Sequence, residues 1–147
     1  MSVKRLGLER RDLLKLAGTA PALGLAGKAQ AQGPLVAIRN GDGTALSGPP
    51  AWAAGELGKA LATKGAKRTD MAGNAGLTIT LDRDPGLPAE GFRLSPLPAG
   101  LRLAAADPRG FVYGLLELAE RVTFGAGPHG ALTLARAETQ APKTTTR

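Results

Sequence analysis

The sequence predicts a small α/β two-layer sandwich, in which two helices cover one face of a small mixed sheet. Two amphipathic helical patterns support this fold class, at residues 50–64 and 107–124. Short apolar runs lie before and between them, bounded by glycine, proline, asparagine and aspartate, as is typical of strands that end in turns. The order strand, helix, three strands, helix leaves room for one hydrophobic core.

The first strand and the first helix are predicted from a change in periodicity. Residues 35–38 form a short β-branched apolar run that ends at the turn-forming segment 40–43. Two prolines then precede Ala53, Leu57 and Leu61, which recur at helical spacing. Proline suits the first turn of a helix because it lacks the N–H that would stay unpaired there. The helix is therefore predicted over residues 50–64.

Three strands are predicted next, at residues 77–81, 91–94 and 101–105. The first alternates apolar and hydroxyl side chains with a period of two, so that one face is buried and the other is wet. Turn residues separate the three runs. Consecutive strands at this spacing predict an antiparallel meander.

The second helix has a start signal, because Asp107 can accept hydrogen bonds from the first free N–H groups and Pro108 fits the first helical position. The segment 125–128 ends this helix, and residues 131–135 are predicted as a further short strand. Four apolar residues share the buried side of the helix: Phe111, Leu115, Leu118 and Val122.

The N-terminal segment is predicted to be an export signal. Charged residues precede a weakly apolar stretch at 13–27, which is the layout of a secretory leader. The charged part resembles the twin-arginine consensus, which the twin-arginine translocase reads. The residues that carry this match are Arg10, Arg11, Leu14 and Lys15.

Cleavage is predicted after Ala31, because Ala29 and Ala31 supply the small side chains that signal peptidase needs. This divides the chain into a signal peptide at 1–31, a folded domain at 32–136 and a disordered tail at 137–147. The expected location is the periplasm or outside the cell. The apolar stretch is too short for a stable membrane anchor, since a bilayer core is about 30 Å thick.

Charge and composition exclude several classes of function. The 147 residues carry a formal net charge of +7 and no cysteine. Most of that charge belongs to the leader, so that it is poor evidence for a nucleic-acid partner. Without cysteine the domain forms no disulfide and no thiolate metal site. We therefore predict neither a metal nor a cofactor.

Candidate catalytic residues each have a simpler structural explanation. Glu117 and Glu120 share a helical face, but exposed glutamates usually belong to a solvated surface, and Glu117 is placed to pair with Arg121. A small hydrolase that uses these two glutamates remains an alternative. Asp82 and Asp84 fit turn chemistry, and His129 has no second ligand or nucleophile nearby in the sequence. No catalytic residue is predicted.

Trp52 has two interpretations. The favoured one is packing in the core or as a staple at the helix start, because its neighbours are small and apolar. The alternative is a platform on which a sugar stacks, as in a stand-alone carbohydrate-binding module, with Tyr113 as a second candidate.

The segments 90–94, 101–103 and 107–121 together resemble a known module. They are similar to the N-terminal non-catalytic domain of bacterial β-N-acetylhexosaminidases and α-glucuronidases, whose last helix bears an Asp-x-Arg-Gly-x-x-Tyr-Gly motif. The resemblance covers about residues 34–124. It implies an α/β domain that packs against a TIM barrel, in which the catalytic acids lie, so that no catalytic residue transfers to this chain.

The resemblance also implies a surface for the barrel on the second helix. Its candidate residues are Arg109, Gly110, Tyr113 and Gly114. The two glycines are four residues apart, where missing side chains let another backbone approach closely. For Arg109 and Tyr113, ordinary packing within the domain remains an equal alternative.

Overall fold

The computed structural model describes residues 33–41 and 46–143. In this part of the chain one six-stranded sheet and three α-helices form. The strands are β1 (Leu35–Asn40), β2 (Lys67–Thr69), β3 (Leu77–Arg83), β4 (Phe92–Leu97), β5 (Gly100–Ala105) and β6 (Glu138–Gln140). The helices are α1 (Pro49–Thr63), α2 (Pro108–Phe124) and α3 (Pro128–Leu132), with a 3₁₀ turn at Ala72–Asn74.

The sheet is mixed, with the strand order β2-β1-β3-β5-β4-β6. Strands β2, β1, β3 and β5 are parallel, whereas β4 runs antiparallel to both of its neighbours, β5 and β6. The crossover from β1 to β3 contains α1, and α2 follows β5. This arrangement confirms the predicted two-layer α/β sandwich.

The hydrophobic core lies between the two main helices and one face of the sheet. Residues that pair across the strands point to the same face, so that Ile38, Ile79 and Leu101 meet in one row. Leu57 and Leu61 of α1 close this core from the helix side. The buried side chains of α2 are the four that the sequence predicts.

The predicted antiparallel meander is wrong. Strand β5 lies between β3 and β4, and it pairs with β3 in parallel. The loop at 84–91 is long enough to carry the chain from β3 past the position of β5 to the position where β4 forms. The two-residue turn before Gly100 then joins β4 and β5 as a hairpin. Strand β5 takes the inner position because its residues are nearly all buried, as Leu101, Leu103 and Ala105 illustrate.

Two further predictions need correction. Residues 131–135 form no strand, because Pro128 begins the short helix α3, which buries Ala131 and Leu132. The predicted disordered tail at 137–147 includes Glu138–Gln140, which form β6. This strand joins the sheet edge through backbone hydrogen bonds, so that it needs no apolar periodicity. The polar strand β2, at the opposite edge, escaped prediction for the same reason.

The predicted signal peptide lies outside the described residues, so that its six targeting residues stay predictions. Among the described helices, none combines the length and the apolar character needed to cross a membrane.

Candidate functional site

The first turn of α2 is fixed by a carboxylate that joins two segments. Asp107 Oδ1 accepts a hydrogen bond from the Gly110 backbone N–H at 2.8 Å, as the helix cap requires. Its second oxygen accepts the Glu90 N–H at 2.7 Å, which ties the β3–β4 loop to the helix. These backbone donors, the Glu90 N–H first, lower the pKa of Asp107. The predicted cap is confirmed, and it also holds a loop.

The two glycines of α2 face the sheet of their own domain. A Cβ atom on Gly110 would lie 2.4 Å from the Gly91 carbonyl oxygen and 3.0 Å from the Ala105 Cβ. A Cβ atom on Gly114 would lie 2.4 Å from the Leu103 Cδ1. The expectation that these glycines face a barrel is therefore wrong, because the sheet already occupies the space above them.

Arg109 and Tyr113 lie on the outer side of the same helix. The Arg109 guanidinium donates to Glu90 Oε1 at 2.6 Å, and this pairing raises the pKa of Arg109. Glu90 has a positive φ of 60°, a conformation that costs a non-glycine residue energy. The Asp107 and Arg109 contacts hold it in place. Asp107 and Arg109 of the motif therefore hold the loop at 84–91 against α2.

The outward side of the α1–α2 pair, here called the helix face, carries three exposed aromatic side chains. Trp52 is 58% exposed, Tyr113 46% and Phe124 85%. The exposure of Trp52 shows that its predicted place in the core is wrong. Large apolar residues grouped on one surface mark interaction sites, and aromatic residues are enriched at the centres of interfaces.

A groove of ≈ 400 Å³ runs along the helix face between α1 and α2. Ala60, Leu116, Ala119 and Phe124 supply its apolar part, and charged and polar groups line its sides. A second cleft, of ≈ 370 Å³, lies beside Tyr113 and is partly lined by the residues that follow β6, Ala141 and Pro142. This second cleft lies between α2 and the β4–β6 edge of the sheet, and it shares Leu116 and Glu120 with the groove on the helix face.

The acidic residues of α2 have structural partners or solvent. Glu117 Oε1 accepts from Arg121 Nε at 2.9 Å, which confirms the predicted pair. Arg121 also donates to Glu138 at 2.7 Å, and this hydrogen bond lowers the pKa of Glu138. Glu120 is exposed. Glu117 and Glu120 stand on one helix, and the third glutamate of the cleft that they line, Glu90, is engaged by Arg109, which disfavours the alternative of a small hydrolase.

The other candidate residues have structural roles. Asp82 pairs with Arg102 at 2.6 Å, and Asp84 accepts the Gly86 N–H at 3.0 Å, as the turn interpretation predicts. His129 is exposed on α3 rather than in a loop. Among the described residues, no group of three or more histidine, aspartate or glutamate side chains could hold a metal ion.

The helix face was only partly predictable. Tyr113 was predicted as a packing candidate, but Leu116 and Phe124 were not. For Phe124 the available signal was its position, because it is apolar and lies outside the side of α2 that carries the core residues, whereas Leu116 is partly buried and packs against the core. An apolar residue on the outer side of an amphipathic helix indicates a second contact surface.

Comparison with protein families places this fold in a known class of accessory domains. The sequence matches glycosyl hydrolase family 20, domain 2, over residues 26–137. The match covers most of the chain, and the chain therefore belongs to this family. Domain 2 is a non-catalytic accessory domain, and the catalytic barrel of family 20 enzymes is a separate domain.

One solved structure shares the fold at low sequence identity, and two others are similar at lower TM-scores. A GH138 enzyme targeting pectin rhamnogalacturonan II is 23% identical with a TM-score of 0.55, over 74% of this chain and 15% of that one. A β-N-acetylhexosaminidase from Bacteroides fragilis is 21% identical with a TM-score of 0.44, over 75% and 20%. A β-hexosaminidase from Streptomyces plicatus is 18% identical with a TM-score of 0.49, over 76% and 22%.

The chain thus spans less than a quarter of the length of these solved proteins. No curated protein matches the sequence significantly.

Proposed function

We propose that this domain supports the catalytic barrel of a family 20 glycoside hydrolase by docking through its helix face. The observation that carries the proposal is that Trp52 on α1 and Tyr113 and Phe124 on α2 stay exposed, although both helices bury their opposite sides in the core. Burying large apolar side chains stabilises an association by roughly 25 cal/mol per Å² of apolar surface. An accessory domain needs such a surface to hold its barrel.

The position of the last described residues supports the same docking side. Ala141 and Pro142 line the cleft beside Tyr113, next to Leu116 and Glu120. A barrel that follows in a longer chain would begin beside α2, on the side of this helix that faces the β4–β6 edge of the sheet. Little linker would then be needed to bring the two domains together.

The proposal is tested with the barrel of a family 20 enzyme encoded by the same genome. Adding the purified chain is expected to raise the melting temperature of the barrel, because binding to the folded state stabilises it. Phe124→Ser should weaken this effect. Met71→Ser is the matched control, since Met71 is 72% exposed but belongs to neither helix. An unchanged melting temperature, or equal effects of the two variants, would contradict the proposal.

For the whole protein we propose β-N-acetylhexosaminidase chemistry, with the catalytic acids in the barrel. The family 20 match favours this class over the α-glucuronidases that the sequence also resembles. Release of nitrophenol from a nitrophenyl N-acetylglucosaminide by the complex of chain and barrel is the expected result. Turnover of a 4-O-methylglucuronoside instead would favour the α-glucuronidase assignment.

We also propose export by the twin-arginine translocase, on the evidence of Arg10 and Arg11 within the leader. Replacing both by lysine keeps the charge but removes the groups that the receptor reads. The double variant should stay in the cytoplasm, whereas the unaltered chain should reach the periplasm. Export of both to the same extent would contradict this route.

A stand-alone carbohydrate-binding module is the second candidate, and the exposure of Trp52 favours it. An indole ring that is 58% exposed can stack on a sugar ring. Titration with chitooligosaccharides should then change the Trp52 fluorescence and saturate. A flat response across chain lengths would contradict this function.

A further inference from the structure

In the part of the chain that the structure describes, no α-helix covers the face of the sheet opposite α1 and α2, and this face is mostly polar. All three described helices contribute to the core on the other side. Parallel sheets are usually covered on both faces, yet the described helices cover the parallel part of this sheet on one face only. The side chains that point away from the helices form what is here called the open sheet face. They include Arg39, Lys67, Thr78, Thr80, Asp82, Arg93, Ser95, Arg102 and Thr139.

This face has a surplus of positive charge. The described residues of this face carry four cationic side chains and two carboxylates. The cationic side chains are those of Arg39, Lys67, Arg93 and Arg102. The carboxylates belong to Asp82 in β3 and to Asp84, which follows the strand and reaches Arg93. The surplus is two positive charges. Among the described residues, the ion pairs of this face join Arg93 to Asp84 and Arg102 to Asp82, and Arg39 takes part in neither.

The two carboxylates orient the arginines while leaving donors free. Arg102 uses Nε to bind Asp82 Oδ2 at 2.6 Å. Arg93 uses Nε for Thr139 Oγ1 at 3.1 Å and Nη1 for Asp84 Oδ2 at 3.8 Å. A guanidinium has five N–H donors, so that both arginines keep further N–H groups for a ligand. Their side chains are 49% and 45% exposed.

The strand register spaces these groups regularly. Arg39, Thr80, Arg102 and Ser95 lie in one row across β1, β3, β5 and β4. Neighbouring strands are about 4.8 Å apart, so that Arg39 and Arg102 stand about 10 Å apart with a hydroxyl between them. Arg93 lies in the next row, diagonal to Arg102, at about 7–8 Å. The result is a flat surface of alternating guanidinium and hydroxyl groups.

We propose that the open sheet face binds a carboxylate-bearing polysaccharide such as a uronate polymer. Guanidinium groups bind carboxylates through paired hydrogen bonds, and the threonine and serine hydroxyls can pair with sugar hydroxyls. A repeating chain of acidic sugars matches a row of cations better than a single small anion does. Nucleic acid fits this face less well, because none of the open-face residues is an aromatic platform for a base.

This binding is separate from barrel docking. The open sheet face lies on the opposite side of the sheet from α1 and α2, so that a barrel on the helix face leaves it accessible. The domain would then hold an acidic glycan while the barrel acts. If the domain did not bind an acidic glycan, its docking to the barrel could still be tested. If it did not dock to the barrel, glycan binding could still be tested.

The test is a titration of the isotope-labelled full chain with a galacturonate tetramer, followed by amide shifts in NMR spectra. The amides of Thr80, Ser95 and Arg102 are expected to shift together and to saturate. Val112 and Leu116 on α2 should not move. Neutral maltotetraose is the comparison ligand and should produce no saturating shifts. Because each shift is assigned to a residue, binding by the basic leader does not obscure the result.

Substitutions on and off the open sheet face test whether this face is the binding site. Arg39→Gln is expected to weaken binding about fivefold, and Arg39→Gln with Arg102→Gln tenfold or more. Lys59→Gln with Lys64→Gln removes the same charge from α1 and its C-cap and should change affinity less than about twofold. Equal weakening by the two pairs, equal shifts with maltotetraose, or absence of saturation would overturn the proposal. Binding of single-stranded DNA as tight as that of the galacturonate would overturn it as well.

Discussion

Replacing Gly110 by alanine should destabilise the domain, although alanine is the better helix former. The added Cβ would lie 2.4 Å from the Gly91 carbonyl oxygen and 3.0 Å from the Ala105 Cβ. Real Cβ atoms do not approach a carbonyl oxygen so closely, and a backbone group cannot rotate away as a side chain can. The helix or the loop at 84–91 must therefore move, together with the Asp107 hydrogen bonds that join them.

The magnitude follows from two opposing terms. Overpacking a filled site costs about 1–3 kcal/mol, with the upper end expected where backbone is in the way. Alanine in place of glycine in a helix interior regains about 1 kcal/mol. The expected net loss is about 1–2 kcal/mol. Gly55→Ala in α1 is the matched control, because no atom lies within 4 Å of its added Cβ. It should stabilise by about 0.5–1 kcal/mol.

Urea unfolding followed by far-ultraviolet circular dichroism measures both variants. The midpoint should fall for Gly110→Ala and rise for Gly55→Ala, with unchanged slopes. If Gly110→Ala stabilised the domain as much as Gly55→Ala, the close contact between α2 and Gly91 would be refuted. The assignment of Gly110 to packing within the domain would then fail.

Three further predictions concern the elements around α2. Asp107→Ala should cost about 0.5–2 kcal/mol, whereas Asp107→Asn should cost less because asparagine still caps a helix; urea midpoints at pH 7 measure both. Because the pKa of Asp107 is lowered in the fold, its stabilisation is complete above the unfolded value of about 3.9 and is lost as the pH falls through the folded value. Asp107→Asn should therefore lose less stability than the natural chain on going from pH 5 to pH 2. Arg121→Gln should increase amide hydrogen exchange in β6 by up to about fivefold, since it removes the ion pair with Glu138.

The predictions on pH dependence and on β6 have controls of their own. For the pH dependence, an Asp107→Asn chain as acid-sensitive as the natural one would contradict the lowered pKa. For β6, Glu120→Gln alters the same helix without touching Arg121, and its exchange rates should match those of the natural chain. Equal exchange in Arg121→Gln and Glu120→Gln would show that the Arg121–Glu138 pair does not hold β6.

The helices and the buried strands were predictable because their signals are local. The Asp-Pro start of α2 and the spacing of its buried residues predict Pro108–Phe124 closely. The alternation in β3 is equally clear in the sequence. The strand order is not local, because it depends on which strand buries the most surface. The available sign was the nearly continuous apolar sequence of β5, interrupted only by Arg102, which is typical of a strand inside a sheet.

The edge strands and the roles of single residues were less predictable. Strands β2 and β6 are polar, and they pair through the backbone, which carries no side-chain pattern. The two glycines of the motif signalled a close approach correctly, but the sequence alone could not identify the approaching group. It proved to be the domain's own loop and sheet. The exposure of Trp52 likewise depends on how α1 is placed against α2.

The most direct test of the account is hydroxyl-radical footprinting of the chain, alone and bound to a family 20 barrel from the same genome. Phe124 and Met71 are both highly exposed apolar residues, at 85% and 72%, but only Phe124 lies on the helix face. The account predicts that labelling of Phe124 and Tyr113 falls sharply on binding, while labelling of Met71 stays constant. Protection of Met71 with Phe124 unchanged would contradict docking through the helix face.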